Sequence, residues 1–460
     1  MTGTADPGSF RDPAGFVFRR AGTLYRQVNQ SYASTFEQLE KAGFLRALQD
    51  DGLLIAHDRL GAEAASTPDA FAVLQPDLIP FVSYPYEWCF GQLKDAAILT
   101  LELQRRALDA GFILRDGSAY NVQFRGGRAV FIDTLSFSAY RSGQPWYAYG
   151  QFCEHFLAPL ALIARCDVRL AALQRSLPDG IPLDLASRLL GMRSWVRPAL
   201  LLHVHLHAAA RRRYARDTVG QRDRSMSLAA LRRLIDHLRQ TVERLNWKSE
   251  PSDWSDYESE HGYTPDATRA KQQALGEMLQ HIRPRMVWDL GANTGIYSAV
   301  AASSGARVVA MDSDHAAVER HYHRTRLKND LILPLVIDLR NSSPSLGWAH
   351  AERQSLAERG PADVALALAL IHHLVLGGGI PLPAVAKWLA SVSRAAIVEF
   401  VPPDDPQVQR LLAGRPERTH EYSEVEFRRA FDACFTLRER RPLTGSGRTL
   451  YAFDRMNAKA

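Results

Sequence analysis

In the second half of the chain, short apolar runs alternate with stretches in which apolar residues return every three or four positions. The runs predict strands and the stretches predict helices. The strands expected are Arg285–Leu290, Arg307–Met311, Ile332–Ile337, Ala362–Leu370 and Ala395–Phe400. The helices expected are Asp266–His281, Gly295–Ser304, His315–Asn329, Leu382–Ser393 and Ser423–Phe431. Two last strands, Phe435–Arg441 and Thr449–Phe453, meet through Gly445-Ser446-Gly447. Strands that alternate with helices call for a parallel sheet covered on both faces. The fold class expected is therefore α/β: a Rossmann-like, mostly parallel seven-stranded sheet closed by an antiparallel edge hairpin.

The first half reads differently, as a helix-rich α+β region. Leu93–Ala110 has helical periodicity with Gly111 placed to end it, and residues 150–245 are nearly all helix-like, broken at Pro178-Asp179-Gly180 and Gly220. Phe112–Leu114 and Ala129–Ile132 read as short buried strands, with a turn at Gly126-Gly127. Gly15 and Gly22 are isolated, so no glycine-rich hairpin is expected to open the chain. Trp247–Pro265 is polar and aromatic and reads as a linker or flap. The division expected is a domain over 1–246, a connector over 247–265 and a second domain over 266–460.

Composition narrows the class. With 460 residues, 46% hydrophobic and 23% charged, the chain is long and apolar enough for two or three packed domains, which excludes wholesale disorder. The four cysteines form no CxxC pair, and the expectation is reduced thiols, no metal site and a cytoplasmic protein. The N-terminus lacks the apolar core of a secretory signal, and no apolar stretch reaches the roughly 20 residues that span a bilayer. The net charge of +6 comes from residues 1–245, where 30 Lys and Arg face 24 Asp and Glu. Its densest run, Arg211-Arg212-Arg213 with Arg216, reads as a solvated helix face. So mild an excess does not favour a nucleic-acid partner.

The most informative stretch is Asp289-Leu290-Gly291-Ala292-Asn293-Thr294-Gly295, where a strand runs through a glycine loop into a helix. Gly291 permits a tight turn and close backbone approach to a ligand, and Gly295 lets the helix start pack closely. Asp312, 21 residues after Gly291, stands at the end of the next strand, where a nucleotide-type domain keeps its ribose-binding acid. Dinucleotide and S-adenosylmethionine sites share this outline. An acid at Asp289 repels a pyrophosphate but suits the ammonium of a methionyl group.

On these residues, about 261–455 resembles the class I S-adenosylmethionine-dependent methyltransferases, whose glycine motif is written [D/E]xGxxxG. The resemblance implies S-adenosyl-L-methionine as cofactor, with Asp289, Gly291, Asn293 and Gly295 on the methionyl and ribose side, Asp312 on the ribose and Asp338 on the adenine. Asn293 replaces a common glycine and is tolerated in positive-φ turns. The IHHL segment and the WSDY…GYTPD…RAK lead-in are similar to a subgroup related to rhizobial nodulation-protein methyltransferases, in which Tyr257, Tyr263 and Lys271 would close over the cofactor.

Methyl transfer from a sulfonium needs alignment above all, while a hydroxyl or nitrogen acceptor also needs a proton sink. His372 and His373 follow the fourth strand, at the end where ligands bind in open α/β sheets, and His372 is the first candidate for the base. Neighbouring residues leaving a strand point in opposite directions, so one of the two is expected to face the pocket. Glu399 is a further catalytic candidate at the mouth. In the first half, Asp116, Asn121 and Asp133 are spaced as in protein-kinase-like folds, which resemble this region in a degenerate form. The departures are Leu114-Arg115-Asp116, Asp133-Thr134-Leu135 and the lack of a nucleotide-clamping lysine. The function expected is methyl transfer to an unidentified acceptor, a small molecule or glycan ahead of RNA. Phosphotransfer by the first half and non-catalytic binding of S-adenosylmethionine stay open as alternatives.

Overall fold

The structure is a computed structural model that describes residues 3–210, 225–248, 265–328, 331–413 and 422–456. Tyr257, Tyr263, the arginine run from 211 to 216, Gly220 and all but the ends of the expected connector lie outside the described residues. The chain divides into two compact units, one of Met1–Lys248 with Leu346–Arg353, the other of Ser249–Ser345 with Gln354–Ala460.

The first unit opens with strands, which corrects the helix-rich opening expected without a glycine hairpin. Strands β1 (Thr4–Ala5), β2 (Gly15–Arg20), β3 (Thr23–Asn29), β4 (His57–Leu60) and β5 (Ala70–Pro76) form an antiparallel sheet of order β1-β2-β3-β5-β4. Strands β2 and β3 turn at Ala21 and Gly22, at φ 48° and 81°. A two-residue hairpin turn of this kind needs two positive φ values, and alanine in the first position hid the signal. The helix Phe90–Asp109 follows, ending before Gly111 at φ 82°. Then come β6 (Phe112–Leu114), paired with β9 (Phe137–Ala139), and the hairpin of β7 (Val122–Arg125) and β8 (Arg128–Phe131) around Gly126-Gly127. Helical segments fill most of residues 149–206, and the helix Leu228–Arg244 packs on Phe90–Asp109.

The second unit is the Rossmann-like domain. Its sheet comprises β10 (Met286–Leu290), β11 (Arg307–Asp312), β12 (Ile332–Val336), β13 (Ala362–Ala367), β14 (Ser393–Phe400), β15 (Phe435–Pro442) and β16 (Thr449–Arg455). The order is β12-β11-β10-β13-β14-β16-β15. The first five strands are parallel, and β16 runs antiparallel to both β14 and β15. Almost every residue of β10, β13 and β14 is buried, as a sheet covered on both faces requires. Strand order reverses between β10 and β13. At such a switch point the loops leaving the strands part in opposite directions and open a crevice at the C-terminal edge.

Gly295, at φ 84°, starts the helix Ile296–Ser303 and touches His321 of the helix His315–Thr325; a Cβ here would lie 2.0 Å from the buried imidazole. Gly305, at φ 87°, meets nothing within 4 Å. Gly295→Ala is therefore expected to destabilise the unit by about 2–4 kcal/mol and Gly305→Ala by about 1 kcal/mol. Urea unfolding measures both, and equal losses would show that the imidazole contact is immaterial.

Candidate functional site

The glycine loop leaves β10 at the switch point. The amides of Gly291 and Ala292 both donate to the Met311 carbonyl, at 2.8 and 3.0 Å, which folds the loop back over β11. Gly291, Asn293 and Gly295 hold φ values of 73°, 49° and 84°. A Cβ on Gly291 would lie 3.1 Å from Leu370 on the far side of the switch point, so glycine keeps the backbone bare there.

Asp312 ends β11 beside this loop. Its two carboxylate oxygens accept the Asn293 amide at 2.7 Å and the Asp314 amide at 2.9 Å. The Ser313 amide also bears on it, and since a carboxylate has about four acceptor positions, room remains for a hydroxyl donor. Burial raises its pKa, against the lowering effect of those amides. Asp289 is buried beneath the loop and accepts the Ser298 hydroxyl at 2.6 Å. Burial pushes its pKa up to about 6, and the Ser298 bond and nearby Lys271 offset only part of that shift. Asp338 follows β12, and the Ile337 amide bonds to the Asp312 carbonyl at 2.8 Å. The Asp338 carboxylate is half-exposed and bound by Arg340, through the backbone amide at 2.9 Å and Nε at 3.1 Å.

The two histidines differ from expectation in their arrangement. Strand β13 ends at Ala367, and His372 and His373 lie on a helical turn that widens into a π-helical stretch at His373–Gly377. On a helical backbone neighbouring side chains do not point oppositely, and the two rings lie 4.1 Å apart. His372 is fully buried with neither ring nitrogen hydrogen-bonded. Burial, then His373, Arg448 and Lys271, hold its pKa well below the usual imidazole range. Burial and Arg448 bring His373 down to about 4. Both imidazoles are thus neutral near pH 7 and can accept hydrogen bonds.

Glu399, expected at the mouth, is instead a fully buried group at the end of β14. Its carboxylate pairs with Lys271 Nζ at 2.5 Å and with an Arg448 guanidinium nitrogen at 3.5 Å. Arg448 also reaches Asp405 at 2.8 Å, and Lys271 lies 4.2 Å above the Tyr297 ring. A carboxylate held this way orders its neighbours. Lys271 belongs to the helix Pro265–Ile282, and burial lowers its pKa against the pull of Glu399. One sign of its burial was legible: Ala267, Lys271, Ala274, Leu275 and Met278 share an apolar helical stripe. Arg448 and Ser298 were missed. Arg448 sits in a hairpin turn of ordinary sequence, and Ser298 is one small residue in an apolar helix.

In the first unit the structure brings Asp116, Asn121 and Asp133 onto neighbouring loops, since the Ile132 amide bonds to the Asn121 carbonyl at 2.8 Å. Asp133 accepts hydrogen bonds from Arg26 of β3 and from the Ser136 hydroxyl. Asp116 accepts the Ser118 amide at 2.9 Å. Arg26 was missed because a lysine was sought. Among the described residues, no three His, Cys, Asp or Glu side chains gather as a metal site.

No family model matches the chain. It is 38% identical over 459 residues to nodulation protein NoeA of Rhizobium meliloti (strain 1021), covering 97% of this chain and 95% of that protein. The chain belongs to the NoeA family. Similar solved structures include the magnesium protoporphyrin IX methyltransferase ChlM of Synechocystis PCC 6803 with bound SAH, at 19% identity and TM-score 0.32, covering 42% of this NoeA-family chain and 85% of ChlM. They also include the N-methyltransferase NodS of Bradyrhizobium japonicum WM9, at 11% and 0.31, covering 42% and 98%. The bifunctional kinase-methyltransferase WbdD is similar at 18% and 0.30, covering 43% and 41%.

Proposed function

We propose that the second unit, taken from residue 266 onward, is a methyltransferase that uses S-adenosyl-L-methionine, and that its acceptor is a small molecule or glycan. The observation that carries this reading is the bare, left-handed glycine loop at the switch point, clasped to the Asp312 carboxylate. Its residues fit the cofactor by their chemistry. Gly291 leaves the backbone open for close approach, Asp312 keeps acceptor capacity for a ribose hydroxyl, and Asp289 offers a carboxylate to an ammonium. Asp338 is the candidate for the adenine amine once Arg340 yields, and Tyr263 is a candidate to close over the cofactor. The cofactor supplies the transferable methyl group, and the protein supplies alignment.

His372 is the candidate that receives the acceptor's hydrogen bond, because a buried imidazole with two idle nitrogens lacks a partner worth about 1–3 kcal/mol. His373 and Glu399 then act on its orientation, the first through ring contact and the second by fixing Arg448 and Lys271. A protein that only binds the cofactor is the competing reading, and product formation separates the two.

For residues 1–246, the main body of the first unit, we infer a substrate-holding or scaffolding role in preference to phosphoryl transfer. Arg26 already supplies Asp133 with a positive charge where a metal ion would be needed.

Three measurements test these assignments. Burial pushes the Asp289 pKa up from 3.8 to about 6, so the carboxylate is mostly charged at pH 7 and loses that charge as pH falls through 6. Cofactor affinity should be full near pH 7 and fall by up to about tenfold per pH unit below 6. Calorimetry should find that slope absent in Asp289→Asn; an equal slope would reject the pairing with the ammonium. In a deletion strain, a His372→Ala copy should restore methylated product about 10²-fold less well than wild type while its purified protein binds cofactor normally. Full restoration would remove His372 from the reaction. Magnesium-dependent ATP hydrolysis should not be found, and turnover abolished by Asp133→Ala would reverse the reading of the first unit.

A further inference from the structure

The first unit carries a surface that neither methyl transfer nor the kinase-like motif uses. Of the 14 exposed large hydrophobic side chains among the described residues, six lie between positions 189 and 206: Leu189, Met192, Trp195, Val196, Leu202 and Leu206. Met192 is 88% exposed and Val196 83%, values at which a side chain touches almost nothing of its own protein. Each such residue alone is ordinary; a concentration of them marks an interaction surface.

The stretch is firmly built. His205 is buried and receives three neighbours. Its Nδ1 lies 2.6 Å from the Ser187 hydroxyl, its Nε2 lies 2.8 Å from the Ser194 hydroxyl, and the Trp195 ring stacks on it at 4.4 Å. One imidazole thus ties the helix Leu183–Leu189, the turn at Met192–Ser194 and the π-helical segment Leu201–Leu206 together. Cys166 adds a contact to the Leu189 carbonyl at 3.5 Å. The apolar side chains project outward from this fixed base.

The uncompensated charge around them is positive, since the nearby carboxylates of Asp167 and Asp184 are each paired with another arginine, Arg169 and Arg188. Arg165, Arg193 and Arg197 are exposed, and no carboxylate pairs with any of them among the described residues. Partial burial and then the neighbouring Arg197 lower the Arg165 pKa, so the two guanidinium groups stand near one another. Aliphatic side chains, a tryptophan and unpaired arginines on one surface match the layered chemistry of a bilayer interface, with acyl chains beneath anionic headgroups. No helix among the described residues is long and apolar enough to cross a membrane, so the contact would be peripheral.

We propose that residues 189–206, with Arg165, form a peripheral docking surface for a membrane containing anionic phospholipid. This inference is independent of the methyltransferase reading.

Flotation of the full-length protein with vesicles tests it. Vesicles of phosphatidylglycerol mixed with phosphatidylcholine should carry the protein upward, and pure phosphatidylcholine should carry far less. Met192→Asp with Val196→Asp should lower binding at least about tenfold, since charged groups replace the inserted side chains. Arg193→Glu and Arg197→Glu should each lower it about fivefold or more at low salt. All four positions are exposed, so unchanged thermal melting should accompany the loss. No flotation with anionic vesicles, or flotation indifferent to Met192→Asp and Val196→Asp, would overturn the proposal. So would a dimer in analytical ultracentrifugation that those substitutions dissolve, because a second copy of the chain would then cover the surface.

Discussion

The second unit depends on one buried carboxylate. Glu399 accepts both Lys271 and Arg448 where no water reaches, and so joins three parts of the chain: the helix before the sheet, the fifth parallel strand and the turn of the closing hairpin. Desolvating these charges costs several kcal/mol, and their attraction returns that only while all partners stay in place. Removing any one partner leaves charge stranded in the interior, at a cost of roughly 3–5 kcal/mol. Such a group contributes little net stability and much definition. It fixes the edge of the crevice beside which His372 stands idle; burial above all keeps that imidazole neutral, with His373 and the two cations held by Glu399 adding to it.

The α/β architecture was legible because each strand of the parallel sheet is buried on both faces, leaving apolar runs that stand out against the helical periodicity between them. Sheet strands β10 to β16 each fall within a few residues of the runs read from sequence. Asp289, Gly291 and Asp312 were legible for a related reason: the strand–loop–helix passage and the following acid are sequence-local and carry their own backbone signature. The opening sheet of the first unit was hidden. Its strands mix buried and half-exposed positions without regular alternation, and an alanine stands where hairpin turns usually show asparagine or aspartate.

What lay beyond sequence was everything made by distant partners. The pairing of Arg26 with Asp133 spans 107 positions, and that of Lys271 with Glu399 spans 128. Neither side of either pair announces the other. The reading of the histidines failed locally, because extended geometry was assumed for residues that had already left the strand. A turn of helix sets both rings on one side, which changes a choice between two groups into a pair of tilted rings in contact.

The contact between Gly295 and His321 has a consequence for how this domain can vary. The helix start and the imidazole share one volume, with the glycine lending the space that the ring occupies. A relative that enlarges the first position must shrink the second, and one that keeps the ring must keep the bare backbone. The two sites are therefore bound to drift as a couple, although 26 positions of chain separate them.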